Sequence, residues 1–239
     1  MPTSHAWTAA PHDPIEELTP NLWRVEAPVP NMAVRRVMAV ARMSDGGLVI
    51  HSAIALDEPS MARLEQWGEP RYIVVPNAYH RADCGKYKAR YPHAQVVCPS
   101  GARRKVEQVV PVDFDYDHFP RSSDIQLRHL KGTKEREGVL IVQHGEQSSL
   151  ILNDIVFNMP HVPGFVGFTL RHVTKSSGGP RVSRIAKLAV VSSAAEAADD
   201  LRKLAQTPGL ARVVVSHHEI IADQPALRLK EAADGLHPA

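Results

Sequence analysis

Cysteine is scarce in this sequence, since Cys84 and Cys98 are the only two among 239 residues. Their spacing matches neither a zinc knuckle nor a disulfide framework, so we expect neither to hold the fold together. Charge of one sign is also scarce, because the formal net charge is +2. Without a strong basic field, we expect neither nucleic acid nor an acidic membrane surface as a partner.

Long apolar runs are missing as well. The sequence has no run of about 18 apolar residues, so we predict no membrane-spanning helix. Its first residues lack a basic start followed by an apolar stretch, so we expect no signal peptide and a cytoplasmic location. A chain of 239 residues favours one large domain, which needs no disulfide or metal simply to stay folded.

The remaining sequence predicts a loose N-terminal arm (residues 1–17) and a single domain (residues 18–239). The arm is rich in proline and shows little periodicity. After it, apolar runs at 22–29, 34–43 and 48–51 predict consecutive antiparallel strands. Asp57 is a predicted N-cap for a helix that ends at Gly68.

The stretch from Ile73 to Gly85 organises the next part of the chain. An apolar run ends in Pro76-Asn77, and His80, Asp83 and Cys84 follow within eight residues. A strand over 71–75, a helix over about 81–91 and a strand over 94–98 predict a βαβ crossover. Polar side chains between a strand and a helix are where α/β proteins usually bind ligands.

The second half repeats this pattern. Strands are predicted at 125–130, 138–143, 149–156 and 211–215, with a capping box at Ser193–Glu196 and a last helix over 224–233. Residues 157–185 predict a mobile or helical cover, and their apolar part, up to 178, is a candidate for a pocket cover or a homo-oligomer surface. Two similar halves predict an α/β fold with two sheets face to face and helices outside.

Four polar positions lie at or just past the end of an apolar strand: His80 with Asp83, Thr133, Asp154, and His217 with His218. A carboxylate buried in apolar surroundings is costly unless it is paired, hydrogen-bonded or bound to a metal. Neutral imidazole and carboxylate are common ligands of Zn, Mn and Fe. These positions therefore predict either a metal site or a set of buried hydrogen bonds.

Three stretches resemble the metallo-β-lactamase superfamily: Pro-Asn-x-x-His at 76–80, Leu-Asn-Asp-Ile at 152–155 and Val-Val-Ser-His-His at 214–218. The resemblance covers about 18–226 and implies a four-layer αββα sandwich of two mixed sheets with helices outside. The superfamily's first metal motif is Thr-His-x-His-x-Asp-His-x-Gly. With Gly85 on its glycine, the other motif positions are taken in order by Asn77, Ala78, His80, Ala82 and Asp83.

The resemblance also implies that the metal motif is eroded. The later family ligands correspond to Thr133, Asp154 and His217, and both Ala78 and Thr133 are poor donors. His80, Asp83, Asp154 and His217 are then the predicted ligands of one divalent ion, Zn, Mn or Fe, with His80 and Asp83 as catalytic candidates. A second register keeps a site of Asp83, Cys84 and His217. The further alternative is a remnant of the family's metal site that holds no ion and is kept together by hydrogen bonds.

Three functions follow as hypotheses. The first is a metallo-hydrolase whose single ion activates water for attack on an ester, amide or phosphoester of a small-molecule substrate. The second is a non-catalytic domain that has lost its metal and binds a small molecule or a partner segment. The third uses Cys84 as a nucleophile with His80 as its base, which requires both on one helix at i and i+4.

Overall fold

Two large sheets and a small one form the framework in the part of the chain that the computed structural model describes, residues 6–30, 32, 34–161 and 163–237. The first sheet has seven strands in chain order: β1 (Glu16–Thr19), β2 (Leu22–Pro28), β3 (Arg35–Arg42), β4 (Gly47–His51), β5 (Glu69–Val74), β6 (Gln95–Cys98) and β7 (Phe114–Asp115). Strands β1 to β4 are antiparallel, and β4 to β7 are parallel.

The second sheet comprises β8 (Ile125–His129), β9 (Gly138–His144), β10 (Gln147–Leu152) and β13 (Leu210–Val215). Strand β13 is parallel to β10, while β8, β9 and β10 are antiparallel. The small sheet pairs β11 (Phe157–Met159) with β12 (Gly179–Arg181). Both large sheets are therefore mixed, in agreement with the predicted α/β fold of two mixed sheets.

The described helices are α1 (Glu58–Trp67), α2 (Cys84–Arg90), α3 (Arg103–Val106), α4 (Gly164–Phe168), α5 (Arg184–Ala189), α6 (Ala194–Leu204) and α7 (Pro225–Leu236). A π-helical turn, Thr169–Val173, continues α4, and a 3-10 turn, Ser100–Ala102, precedes α3. No helix in the described ranges combines the length and apolar character needed to cross a bilayer.

Three apolar clusters show how the layers are arranged. In β10, Leu150 and Leu152 face a cluster shared with α6 and α7, whereas Ile151 faces a cluster shared with the first sheet. In β4, Val49 faces that shared cluster, and its neighbours face α1 and α2. Alternate residues of a strand point to opposite faces. The two sheets therefore pack face to face with helices outside, which confirms the four-layer αββα sandwich.

Local sequence signals account for several boundaries. Asp57 accepts a hydrogen bond from the Ser60 N–H at 2.9 Å, and α1 ends before Gly68, as predicted. Ser193 accepts from the Glu196 N–H at the start of α6, which confirms that cap. In the arm, Trp7 donates to the Leu56 carbonyl at 3.0 Å and its ring lies 5.1 Å from that of Tyr87, so this residue is fastened to the domain.

Two boundaries near the predicted site differ from expectation. Helix α2 begins at Cys84 instead of residue 81, because Asn77 accepts the backbone N–H groups of Tyr79 and His80 and holds the preceding residues in a turn. Strand β10 ends at Leu152 instead of 156, so Asp154 lies two residues beyond it. The predicted cover over 157–185 contains β11, α4, the π-helical turn and β12.

Candidate metal centre

Three side chains that follow strand ends meet at one edge of the sandwich. Asp154 comes two residues after β10, and His217 comes two residues after β13. Because β10 and β13 are parallel neighbours, their carboxyl ends lie side by side. His80 reaches the same place from the loop between β5 and α2 in the other sheet.

The three donors converge on one point. His80 Nε2 and His217 Nε2 each lie 3.0 Å from Asp154 Oδ1. Among the residues that the structure describes, the group of metal-ligating atoms within 4.8 Å of one another consists of His80, Asp154 and His217. The sequence predicted all three as ligands, and the fold brings them together from two sheets.

The remaining polar atoms of the three side chains have fixed partners. His217 Nδ1 donates to the Arg35 carbonyl at 2.7 Å, and its ring stacks on Phe157 at a centroid distance of 5.0 Å. His80 Nδ1 lies 3.0 Å from Ser52 Oγ. Such contacts behind the ring are what orient histidines toward a metal. Both imidazoles are therefore held with Nε2 facing the carboxylate.

Asn77 holds the carboxylate and the histidine loop together. Its Nδ2 donates to Asp154 Oδ2 at 2.7 Å, leaving Oδ1 to face the imidazoles. Its Oδ1 accepts the N–H groups of Tyr79 at 2.8 Å and His80 at 3.0 Å. These bonds form an Asx turn that also positions Asp154.

Opposite charges set the electrostatics of this group. Burial alone would raise the pKa of Asp154, but His80 and His217 hold that pKa well below its usual range. Burial lowers the pKa of His217, and Asp154 raises it by more, so the net pKa lies above the ordinary value. His51 lies close by, and burial followed by the charge of His80 lowers its pKa to about 3. Asp154 is thus the fixed anion of the group.

Comparison with solved structures decides the fold family. A metallo-β-lactamase from Pontibacter korlensis superposes with a TM-score of 0.60 at 10% identity, covering 94% of this chain and 99% of that one. The mono-zinc form of the FIM-1 metallo-β-lactamase from Pseudomonas aeruginosa gives 0.59 at 12% identity, covering 97% of this chain and 98% of that one.

The DIM-1 metallo-β-lactamase exposed to ceftazidime gives a TM-score of 0.59 at 11% identity, covering 95% of this chain and 99% of that one. This chain has the metallo-β-lactamase fold. No protein-family model and no curated protein matches the sequence. The likeness therefore establishes the fold alone, and the chemistry rests on the residues of this chain.

Two of the ligand positions that the resemblance implies, those of Ala78 and Thr133, carry no free donor in this chain. Ala78 has no polar side-chain atom. Thr133 is fully buried, and its hydroxyl donates to the Leu130 carbonyl at 2.7 Å. The hydroxyl is therefore occupied within its own turn and does not compensate for the histidine that the resemblance implies there.

Asp83, predicted as both a ligand and a catalytic residue, lies outside the three-residue group. Its Oδ2 accepts from Arg36 Nη2 at 2.6 Å, and its Oδ1 lies 2.9 Å from Lys86 Nζ. Burial raises the pKa of Asp83, but Arg36 and Lys86 lower it by more, so the net pKa lies below the usual value. Its contacts are those of a structural ion pair.

Cys84 lies at the first residue of α2, and its thiol is buried. Its Sγ donates to the Arg81 carbonyl at 3.1 Å, and burial raises its pKa to about 12. His80 precedes the helix instead of lying one turn back on it, so the i and i+4 pairing that a thiol nucleophile requires is absent. The second register, with Asp83 and Cys84 beside His217, does not form either.

Glu137 is a site residue that the sequence analysis missed. It is fully buried, its Oε1 accepts the Ile155 N–H at 2.7 Å, and its Oε2 lies 3.5 Å from Asn77 Nδ2. Burial, together with the charge of Asp154, raises the pKa of Glu137 well above its usual value. The signal was weak, because Glu137 ends a charged stretch, Lys134–Glu137, that is typical of a solvated turn.

Ser52 was not predicted either, although it follows the end of a buried strand, β4, as the predicted residues follow theirs. It adopts a left-handed backbone conformation with φ of 58°. Strained non-glycine residues of this kind cluster at functional sites, where surrounding contacts hold them. A serine directly after a buried strand was therefore a usable signal.

The raised pKa of Glu137 predicts a pH dependence of stability. Above about pH 4.5, the usual glutamate pKa, Glu137 loses its proton in the unfolded chain but keeps it in the folded protein. The free energy of unfolding therefore decreases as pH rises above this value. In metal-free protein, Glu137→Gln should therefore gain stability relative to wild type between pH 4 and pH 7. Urea unfolding at both pH values measures this, with Glu146→Gln at an exposed turn as the control. A stability difference independent of pH would refute the proton on Glu137.

Proposed function

We propose that this chain is a metallo-hydrolase that holds one divalent ion on His80, Asp154 and His217. The supporting observation is the convergence of two Nε2 atoms and Asp154 Oδ1 while the opposite atoms of all three side chains are tied to the protein. Three protein ligands with a further position for water or substrate are characteristic of catalytic sites, whereas structural zinc sites use four.

The tautomer of His217 favours a cation at this place. Because Nδ1 donates to the Arg35 carbonyl, a neutral His217 has a bare lone pair on Nε2 facing the carboxylate oxygen. Two electron-rich atoms 3.0 Å apart repel unless a proton or a metal ion lies between them. A divalent ion satisfies His217, His80 and Asp154 at once.

The ion, when bound, supplies Lewis acidity and lowers the pKa of a bound water toward neutrality. The protein supplies the geometry. Asn77 keeps Asp154 turned toward the histidines, and Ser52 and the Arg35 carbonyl fix the two rings. We propose an ester, amide or phosphoester of a small molecule as the substrate.

A non-catalytic binding domain is the second candidate. It is favoured by Ala78 and by the occupied hydroxyl of Thr133, which leave two ligand positions of the resemblance without donors. Such a domain predicts ligand-dependent stabilisation without turnover. Turnover that depends on a divalent ion therefore separates the two candidates.

The experiment compares metal-stripped and Zn²⁺- or Mn²⁺-reconstituted protein on a panel of ester, amide and phosphoester substrates. We expect hydrolysis only in the reconstituted protein, and a loss of at least about 100-fold in His80→Ala, because a missing ligand weakens the site. His93→Ala, at a half-exposed ring outside the group, is the matched control. Equal rates with and without metal, or no turnover of any substrate class, would contradict the proposed hydrolase.

A further inference from the structure

A cavity of about 270 Å³ adjoins the loop between β5 and α2, which also carries His80. Asn77, which holds Asp154, forms part of its wall together with Ala78 and Tyr79. Val190, just past α5, and the Ser100–Ala102 turn close other sides. The three proposed ligands do not line this cavity, and Asn77 is the residue that links its wall to Asp154.

Three cationic side chains line this cavity: Arg104, Lys105 and Arg136. All three side chains are exposed, and none of them forms an ion pair with another described residue. Of the acids close to them in sequence, Glu107 pairs with Arg103, Glu135 accepts from the Ser100 hydroxyl beside the cavity, and Glu137 is buried. The three cations therefore form no ion pair with a carboxylate of the described residues, while the Glu135 carboxylate lies beside the Ser100–Ala102 turn.

Two backbone segments that border the cavity, around Gly101 and around Glu135, pack closely against one another. The Gly101 N–H donates to the Glu135 carbonyl at 2.8 Å, and a Cβ on Gly101 would lie 2.3 Å from the Lys134 carbonyl oxygen. Lys134 and Glu135 both adopt left-handed conformations, with φ of 52° and 54°. This strained turn brings Arg136 against the segment that carries Arg104 and Lys105.

The cationic segment is also fastened to the loop that carries His80. Arg81 Nη1 donates to the Lys105 carbonyl and, at 3.1 Å, to the Gln108 side chain. The cavity cations and the proposed metal ligands therefore belong to one connected unit.

We propose that this cavity binds a phosphate group of the substrate, so that the hydrolase acts on a phosphorylated small molecule. Two guanidinium groups and an ammonium favour an oxyanion, because arginine donates in pairs to phosphate or carboxylate oxygens. Three cations without ion-pair partners favour a doubly charged phosphate over a singly charged carboxylate. The identity of the substrate rests on the proposed hydrolase. The binding of an anion in the cavity does not depend on it.

The test uses inorganic phosphate as the probe, with metal-stripped protein so that phosphate has no ion to bind. Calorimetric titration at constant ionic strength compares wild type, Arg104→Gln/Arg136→Gln and the control Arg121→Gln/Lys203→Gln, which loses the same charge at exposed positions outside the cavity. We expect wild type and control to bind phosphate alike, and the cavity variant to bind at least about tenfold more weakly. Because the replaced side chains are exposed and unpaired, equal melting temperatures in chloride show that every variant is folded.

Two further measurements separate the sources of binding. Acetate should compete with phosphate only at much higher concentration, and equal competition would replace the phosphate with a carboxylate and overturn the proposal. Equal phosphate affinity in the cavity variant, or no phosphate binding to wild type, would also overturn it. Phosphate binding to a protein that holds no metal in any condition would retain the cavity site and refute the hydrolase, so the two failures are distinguishable.

Discussion

Replacing Asp154 by Asn is expected to weaken Zn²⁺ binding by at least about 100-fold, or about 2.8 kcal/mol. The amide keeps the size of the side chain but removes the anion that faces both imidazoles. It also removes the charge that raises the pKa of His217. Competition with a chromogenic chelator measures the affinity, and hydrolysis should fall in parallel.

A buried aspartate outside the site provides the control for that experiment. Asp200, on α6, is buried, pairs with Arg128 at 2.9 Å and lies outside the group of proposed ligands. Asp200→Asn should therefore reduce stability while leaving the Zn²⁺ affinity unchanged. If Asp154→Asn binds Zn²⁺ as tightly as wild type, the carboxylate is not a ligand.

Replacing Asp83 by Ala is expected to destabilise the protein by about 3–5 kcal/mol without changing its metal content. The substitution leaves the guanidinium of Arg36, whose side chain is only 16% exposed, without its anionic partner, and it removes the contact to Lys86. Urea unfolding measures the stability, and elemental analysis measures the metal. This result would assign Asp83 to structure and not to the metal site.

An exposed ion pair provides the comparison for Asp83. Asp13, with a side chain 57% exposed, pairs with Arg35, and Asp13→Ala should cost only about 0–1 kcal/mol. Loss of bound metal in Asp83→Ala, with stability close to that of wild type, would instead support the role that the sequence predicts for this residue.

Most strands of the two large sheets could be predicted because their signals are local, whereas β1 and β7 were not predicted. Apolar runs such as Leu48–Ile50 and Val213–Val215 are bounded by turn residues, and Asp57 and Ser193 mark helix starts through their own side chains. The segment from 157 to 189 could not be predicted, since β11 and β12 are three residues each and depend on pairing with one another across the chain. Short elements of this kind carry too few residues to show a period.

The site could be predicted where a strand end determined its place. The positions of Asp154 and His217 at the ends of apolar runs were readable from the sequence, whereas the parallel pairing of their strands was not. The direction of a side chain was not readable. Asp83 is adjacent in sequence to the histidine loop, yet it turns toward Arg36, a residue of the distant strand β3. Glu137 was missed because its burial depends on the packing of two sheets and leaves no local pattern.

The metal content of the wild-type protein tests the proposed metal centre most directly. The chain is equilibrated with excess Zn²⁺, freed of unbound ions by gel filtration and analysed for metal per polypeptide, beside Asp154→Asn prepared in the same way. We predict close to one ion per wild-type chain and almost none in the variant. A wild-type chain that retains no ion, or a variant that retains as much as wild type, would contradict a metal centre on His80, Asp154 and His217.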